Sequence, residues 1–235
     1  MKSINLICFP FAGGNKYSYR LLKNNCSRKL NVITLEYPGR GNRIGEPFCD
    51  NIQLLVKDLC RQLYGLINTG HYAFYGHSMG GLLAYLVTKE LEESNRPKPI
   101  HIFISGTKGP SIVRQEKKHL LEKERFIEEI KKYGGLPVQV LEEEELLNFF
   151  EPILRADFKI VENFIYENRG PIKHPLTIIT GSEDDLTYDE IYGWRKEAME
   201  EVDFIIMPGN HFFIFNHVNE ILKIIEQKVF STFST

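Results

Sequence analysis

The sequence predicts an α/β fold with a mostly parallel sheet. Three observations carry that prediction. Short apolar runs alternate with amphipathic stretches of helical spacing, the runs are nearly continuous in apolar content, and one of them ends in a glycine-flanked serine that opens a helix. Parallel strands covered on both faces read as continuous apolar runs. Their alternation with helices marks crossover units.

Strands are expected, in order, at residues 4–9, 32–36, 72–75, 100–105, 176–180 and 204–207. Helices are expected near 18–25, 52–67, 80–93, 188–200 and 218–230. Arg96-Pro97-Lys98-Pro99 stops the third helix and leads into a loop. Right-handed crossovers put the C-terminal ends of such strands on one edge, where ligands usually bind. Residues 115–166 break the alternation, with no clear strand. Leu120, Ile127, Ile130 and Tyr133 recur at helical spacing, as do Leu146, Phe150, Ile153, Leu154, Phe158, Val161 and Ile165. Gly134-Gly135-Leu136-Pro137 separates the two sets. This region is expected to be a helical lid, at about 111–168. Glu142-Glu143-Glu144-Glu145 suits a helix N-terminus, where negative charge meets the favourable end of the dipole.

A chain of 235 residues suits one domain with a sizeable core. Hydrophobic residues make up 43% and charged residues 26%, the balance of a soluble globular protein. The formal charge is −2, from 29 basic and 31 acidic side chains, so no nucleic-acid partner is expected. No apolar run approaches the roughly 18 residues of a membrane span, and Met1-Lys2-Ser3-Ile4-Asn5 lacks the features of a secretion signal. A cytoplasmic monomer without a membrane partner is the expectation. Cys8, Cys26, Cys49 and Cys60 are scattered, with no Cys-x-x-Cys pair and no histidine at metal-ligand spacing. Free thiols and no metal are expected.

Gly76-His77-Ser78-Met79-Gly80 follows the apolar run Tyr72-Ala73-Phe74-Tyr75 and precedes Gly81-Leu82-Leu83-Ala84-Tyr85-Leu86-Val87. Strand, sharp turn and helix with serine at the turn form a nucleophile elbow, which lifts the hydroxyl above the sheet end. Side chains at Gly76 and Gly80 would collide where helix and strand pack closely. A serine hydroxyl needs a base, and the base needs an orienting acid. His211, in the loop after the last strand, is the candidate base, with His217 its nearest competitor. His77 is expected to point away from the nucleophile, and His71, His101, His119 and His174 lie at strand starts or in the lid. Asp184, after the strand at 176–180, is the candidate acid, with Asp185 and Glu183 as rivals. The order serine, acid, histidine is that of an α/β-hydrolase. Two backbone amides must receive the developing oxyanion. Met79 supplies one, and Phe9-Pro10-Phe11-Ala12-Gly13-Gly14 supplies the other, from Ala12 or else Phe11. No Gly-Lys-Ser/Thr follows that loop, which argues against a phosphate cradle.

These residues together resemble the type II thioesterases of nonribosomal-peptide and polyketide pathways, which are α/β-hydrolases. The likeness spans nearly the whole chain: the loop at Phe9–Gly14, Tyr37-Pro38-Gly39-Arg40-Gly41, the elbow, Leu154-Arg155-Ala156-Asp157-Phe158 in the lid, and Pro208-Gly209-Asn210-His211-Phe212-Phe213. Phe11 stands where histidine is common, Gly81 where alanine is common, and Asp185 where proline often follows the acid. The resemblance implies hydrolysis of acyl groups from phosphopantetheine arms of acyl or peptidyl carrier proteins, by Ser78, Asp184 and His211, with no cofactor. It also implies lid helices that shape a substrate chamber and help receive the carrier. Arg40 and Arg43 are read as meeting a carrier's acidic surface or phosphate, or as solvated loop arginines. A fatty-acyl carrier-protein thioesterase, a small-molecule carboxylesterase and a silent hydrolase fold that binds a carrier remain open.

Overall fold

The computed structural model describes residues 3–68, 70–113 and 117–232. Residues 114–116, which fall in the expected lid, and both extreme termini lie outside the described residues.

Alternate side chains of each central strand enter different cores. In β1 (Ile4–Phe9), Leu6 and Cys8 join one cluster, while Ile7 and Phe9 join the other. In β3 (Tyr72–His77), Ala73 and Tyr75 oppose Tyr72 and Phe74 in the same way. With β2 (Leu30–Thr34), β4 (Ile102–Ser105), β5 (Leu176–Gly181) and β6 (Asp203–Met207), they form a sheet in the order β2-β1-β3-β4-β5-β6. Every pairing is parallel.

Helices α1 (Arg20–Asn25) and α8 (Val218–Ser231) cover one face through Leu22, Ile221, Leu222 and Ile225. Helices α2 (Ile52–Leu63) and α3 (Met79–Glu93) cover the other through Leu55, Leu59, Leu82 and Leu83. Asn51 caps α2 by accepting the Leu54 amide at 2.9 Å. The chain leaves β1 toward β2 on one side and returns to β3 on the other, so the strand order reverses between β1 and β3. Ligands bind at such a switch point.

Three expected elements shift. The helix expected at 188–200 divides into α7 (Tyr188–Tyr192) and a 3-10 turn, Gly193–Glu197. Gly193 meets Gly109 so closely that a Cβ on Gly109 would lie 2.7 Å from the Gly193 carbonyl carbon, and Trp194 turns inward to donate to Thr107 O at 2.9 Å. The second strand begins at Leu30 rather than residue 32, because Leu30 already pairs with Ile4. The lid holds three helices instead of two: α4 (Lys123–Tyr133), α5 (Val138–Glu142) and α6 (Glu144–Glu162). Gly134, at φ +74°, ends α4, and Glu144 and Glu145 occupy the first turn of α6. Among the described residues no helix is long and apolar enough to cross a membrane.

The turn between β3 and α3 leaves no room for side chains. A Cβ on Gly80 would sit 2.0 Å from the Phe9 carbonyl oxygen, and one on Gly76 2.2 Å from that of Gly80. Gly80→Ala should lower the denaturant midpoint, with a loss of unfolding free energy at the upper end of the roughly 1–3 kcal/mol that overpacking costs. Gly65→Ala, with nothing within 4 Å of the added carbon, should change it little. Equal effects of the two in a urea titration would contradict this account of the turn.

Candidate active site

Loops from five strand ends line one cavity of about 880 Å³. Ser78 follows β3 and bonds through its amide to Ser105 O at 2.8 Å. Its backbone, at φ 54° and ψ −119°, is outside the ordinary regions for a residue with a side chain. Such strain persists where the surroundings enforce it, and here α3 and β1 do so through the two elbow glycines.

Asp184 and His211 meet between the loops after β5 and β6. Both carboxylate oxygens lie 3.0 Å from His211 Nδ1, and the Asp184 side chain is 4% exposed. The two loops are laced together: Ser182 N–H donates to Met207 O at 2.8 Å and Glu183 N–H to Gly209 O at 2.9 Å. A Cβ on Gly181 would lie 2.5 Å from Gly209 O, so only glycine lets the loops approach this far. Among the described residues Asp184 alone of the three acids bonds the His211 ring, although Asp185 lines the same cavity. Asp185 and Glu183 are exposed, and His217 turns its Nε2 to Pro208 O at 2.9 Å. His119 pairs with Glu162 at 2.5 Å inside the lid, and His101 bonds Thr177 Oγ1 on a strand.

Ala12, Met79, Ser78, Asp184 and His211 all line the cavity. Met79 begins α3, where a helix leaves its first amides unpaired. In the loop after β1 the Gly13 amide is taken by Asp157 Oδ2 at 2.7 Å and the Gly14 amide by Phe11 O at 2.8 Å. Among the described residues, neither the Phe11 nor the Ala12 amide has an acceptor. Both candidates read from the sequence therefore have donors available, and both glycines are spoken for.

Three residues at the site make unexpected contacts. His77 does not line the cavity with Ser78, but its ring lies against His211, with centroids 4.8 Å apart, a contact the sequence did not suggest. Its Nδ1 is 3.0 Å from Ser105 Oγ, and burial, with His211 second, holds its pKa well below the usual histidine range. His77 is therefore neutral beside His211. Arg40 is neither solvated nor open to a partner. Its side chain is 5% exposed and forms a forked pair with Asp157, at 2.5 and 2.7 Å. Arg43 is engaged by Asp58 at 2.5 Å and Glu46 at 2.6 Å. The signal for Asp157 was present in the sequence as an acid between Ile153, Leu154 and Ile160 on the apolar stripe of α6. The lid also reaches the base from α4, since the Tyr133 ring lies 5.2 Å from that of His211.

The lid side of the cavity is apolar, with Ile130, Leu136, Val140, Phe150, Leu154 and Phe158. That wall suits an aliphatic group and excludes water from it. Among the described residues no three His, Cys, Asp or Glu side chains gather as a metal site would require.

The thioesterase domain model matches residues 4–229. The gramicidin S biosynthesis protein GrsT of Aneurinibacillus migulanus is 32% identical, over 94% of this chain and 86% of its own. The medium-chain S-acyl fatty acid synthase thioesterase of Rattus norvegicus is 32% identical, over 92% of this chain and 83% of its own. The crystal structure of ClbQ from the colibactin NRPS/PKS pathway matches with a TM-score of 0.92 at 31% identity, covering 98% of each chain. The architecture is the α/β-hydrolase fold with a helical lid, and on the match across nearly its whole length the chain belongs to the thioesterase domain family.

Proposed function

We propose that the protein is a serine-dependent thioesterase that hydrolyses acyl groups from the phosphopantetheine arms of acyl or peptidyl carrier proteins. It would edit or release chains in a nonribosomal peptide or polyketide pathway. The observation that carries this reading is the meeting of Ser78, the Asp184–His211 pair and unpaired amides at one apolar-walled cavity. The names of GrsT, a gramicidin S biosynthesis protein, and of ClbQ, from the colibactin NRPS/PKS pathway, support the biosynthetic setting.

The chemistry is acyl transfer in two halves. His211 takes the Ser78 proton as Oγ attacks the thioester carbonyl. Asp184 at Nδ1 fixes the tautomer that leaves Nε2 as base, and balances the charge that forms there. The Met79 and Ala12 amides receive the oxyanion. The carbon–sulfur bond breaks, and the pantetheine thiol leaves with the proton held by His211. Water, giving its proton to the same ring, then frees the acid and restores Ser78. The pantetheine arm belongs to the substrate, and no metal or redox cofactor enters the scheme. A cytoplasmic monomer is the proposed setting, and the four unpaired cysteines suit a reducing compartment. The likeness to the rat fatty acid synthase thioesterase supports a second reading, fatty-acyl release from a carrier. Rates across carriers loaded with short and medium acyl chains separate the two.

Ser78→Ala should abolish thioester hydrolysis in a folded protein, and a fluorophosphonate should label Ser78 in the wild type. Retained turnover, or a label mapped elsewhere, would sink the nucleophile assignment. Asp184→Asn should lose far more activity than Asp185→Asn, since Asp184 alone of the two lies on His211. In a serine protease the equivalent change costs about 10⁴-fold, and a loss above about a hundredfold is expected here. A larger loss from Asp185→Asn would move the acid by one residue.

Substitutions at exposed lid positions such as Leu120, Arg125 and Phe149 should raise KM for acyl-carrier substrates, by roughly fivefold at a contact that matters. Hydrolysis of a small free thioester should barely change. Paired measurements on the same variants decide the matter. Equal losses on both substrates would mean that these positions shape the catalytic centre, and no loss on either would refute carrier recognition by the lid.

A further inference from the structure

Asp157 belongs to the lid, yet its carboxylate is 2% exposed and is bound to the loop after β1. A buried charge persists only when paired and hydrogen-bonded. Asp157 Oδ2 accepts the Gly13 amide at 2.7 Å and Arg40 Nη1 at 2.5 Å, while Oδ1 accepts Arg40 Nη2 at 2.7 Å. The same Arg40 Nη1 donates to Gly14 O at 3.2 Å. Helix α6 also lies directly on this loop: a Cβ on Gly13, which has φ +77°, would be 2.6 Å from Leu154 Cδ2.

Two other carbonyls of the loop are held without the lid. Pro10 O accepts the Tyr37 hydroxyl at 2.8 Å, and Phe11 O accepts the Gly14 amide at 2.8 Å. What remains is the peptide between Ala12 and Gly13. Because a peptide unit is planar, holding the Gly13 N–H sets the rotation about the Ala12 Cα–C bond, an inner dihedral of the turn that the Gly14 N–H to Phe11 O bond closes; the Ala12 N–H shares its peptide plane with that Phe11 carbonyl and is aimed through the turn. The group that holds it is the lid carboxylate. A salt bridge serving only to fasten the lid needs no bond to that amide.

We propose that Asp157 is a positioning residue, which reaches from the lid to fix the Gly13 amide and so aims the Ala12 amide at the oxyanion, with Arg40 holding the carboxylate in place. This rests on the thioesterase reading above and on Ala12 as the second donor. Lid and oxyanion loop then form one unit, and α6 cannot lift at Asp157 without loosening the donor.

The test uses two double variants, each lacking the buried charge pair. Arg40→Met/Asp157→Leu leaves the Gly13 amide without an acceptor, and Arg40→Met/Asp157→Asn keeps one. Both are assayed on a small free acyl thioester, after circular dichroism and thermal melting establish that they fold. The leucine variant should lose about thirtyfold to a hundredfold in kcat, the scale of a misplaced catalytic group, with KM changed by less than about threefold. The asparagine variant should recover at least about tenfold of that loss. Equal kcat in the two folded variants overturns the proposal, because the pair would then only fasten the lid. Ser78→Ala, run in parallel, separates the two levels. Turnover surviving in Ser78→Ala defeats the thioesterase reading itself, whereas its loss there with equal kcat in the double variants defeats only the role of Asp157. Native-state hydrogen exchange on the wild type requires no variant to fold. The Gly13 amide should exchange in step with the amides of α6 near Asp157, and exchange about a hundredfold faster than theirs would equally overturn the proposal.

Discussion

The close approach of the Gly80 backbone to the Phe9 carbonyl governs the geometry of this molecule. At that distance the amino end of α3 abuts the carboxyl end of β1, and two loops remote in sequence share one crevice. Ser78 is then forced into its unusual backbone conformation, which costs on the order of 1–3 kcal/mol. The cost is borne by neighbours that are wholly enclosed: every residue of β3 is buried, as are Leu82, Leu83, Ala84 and Val87 on α3. The unusual conformation at the turn and the rigidity beneath it are therefore one design. The serine is exposed to the cavity because the chain behind it has no freedom to retreat.

The surroundings of His211 extend that logic to charge. On one side a nearly buried carboxylate accepts from its ring. On the others lie aromatic rings, Phe212 at 5.1 Å and Tyr133 at 5.2 Å, and the neutral ring of His77. Phe11, Phe212 and Phe215 pack together around the same corner. Asp184 is the acid that lies on the ring, and so the nearest counter-charge to a protonated imidazole there. In low-dielectric surroundings that attraction is stronger than it would be in bulk water. A neutral His77 adjacent to His211 contributes packing without adding a positive charge.

The sheet and the main site are legible in the sequence for a common reason. Each central strand is buried on both faces, which leaves a continuous apolar run, and Ser78 and Asp184 follow such runs by a few residues; His211 follows the edge strand β6, which is partly exposed yet still reads as the apolar run Phe204–Met207. Local pattern and function coincide there. Arg40 is not legible because its partner is 117 positions away in the chain, and nothing near Arg40 announces an acid. The contact of His77 with His211 is hidden because the turn of the elbow alone does not say where the neighbouring loop will lie. The helix at 188–200 looks continuous because its interruption comes from the backbone of Gly109, a tertiary contact that periodicity does not register. The choice among Glu183, Asp184 and Asp185 likewise depends on the lacing of the two loops, since adjacent carboxylates are interchangeable in composition but point in different directions.

The forked pair between Arg40 and Asp157 bears on how such proteins can be recombined. Breaking one partner of a buried ion pair costs about 3–5 kcal/mol, a large part of a domain's stability. A lid transplanted from another thioesterase would have to bring an acid at this position on its helix, and the recipient would have to offer the guanidinium at this depth. A small residue at Gly13 is needed as well, because Leu154 rests on it. The lid is thus no interchangeable cassette. Exchanging its inner seam requires that three distant segments, at Gly13, Arg40 and Asp157, be exchanged together.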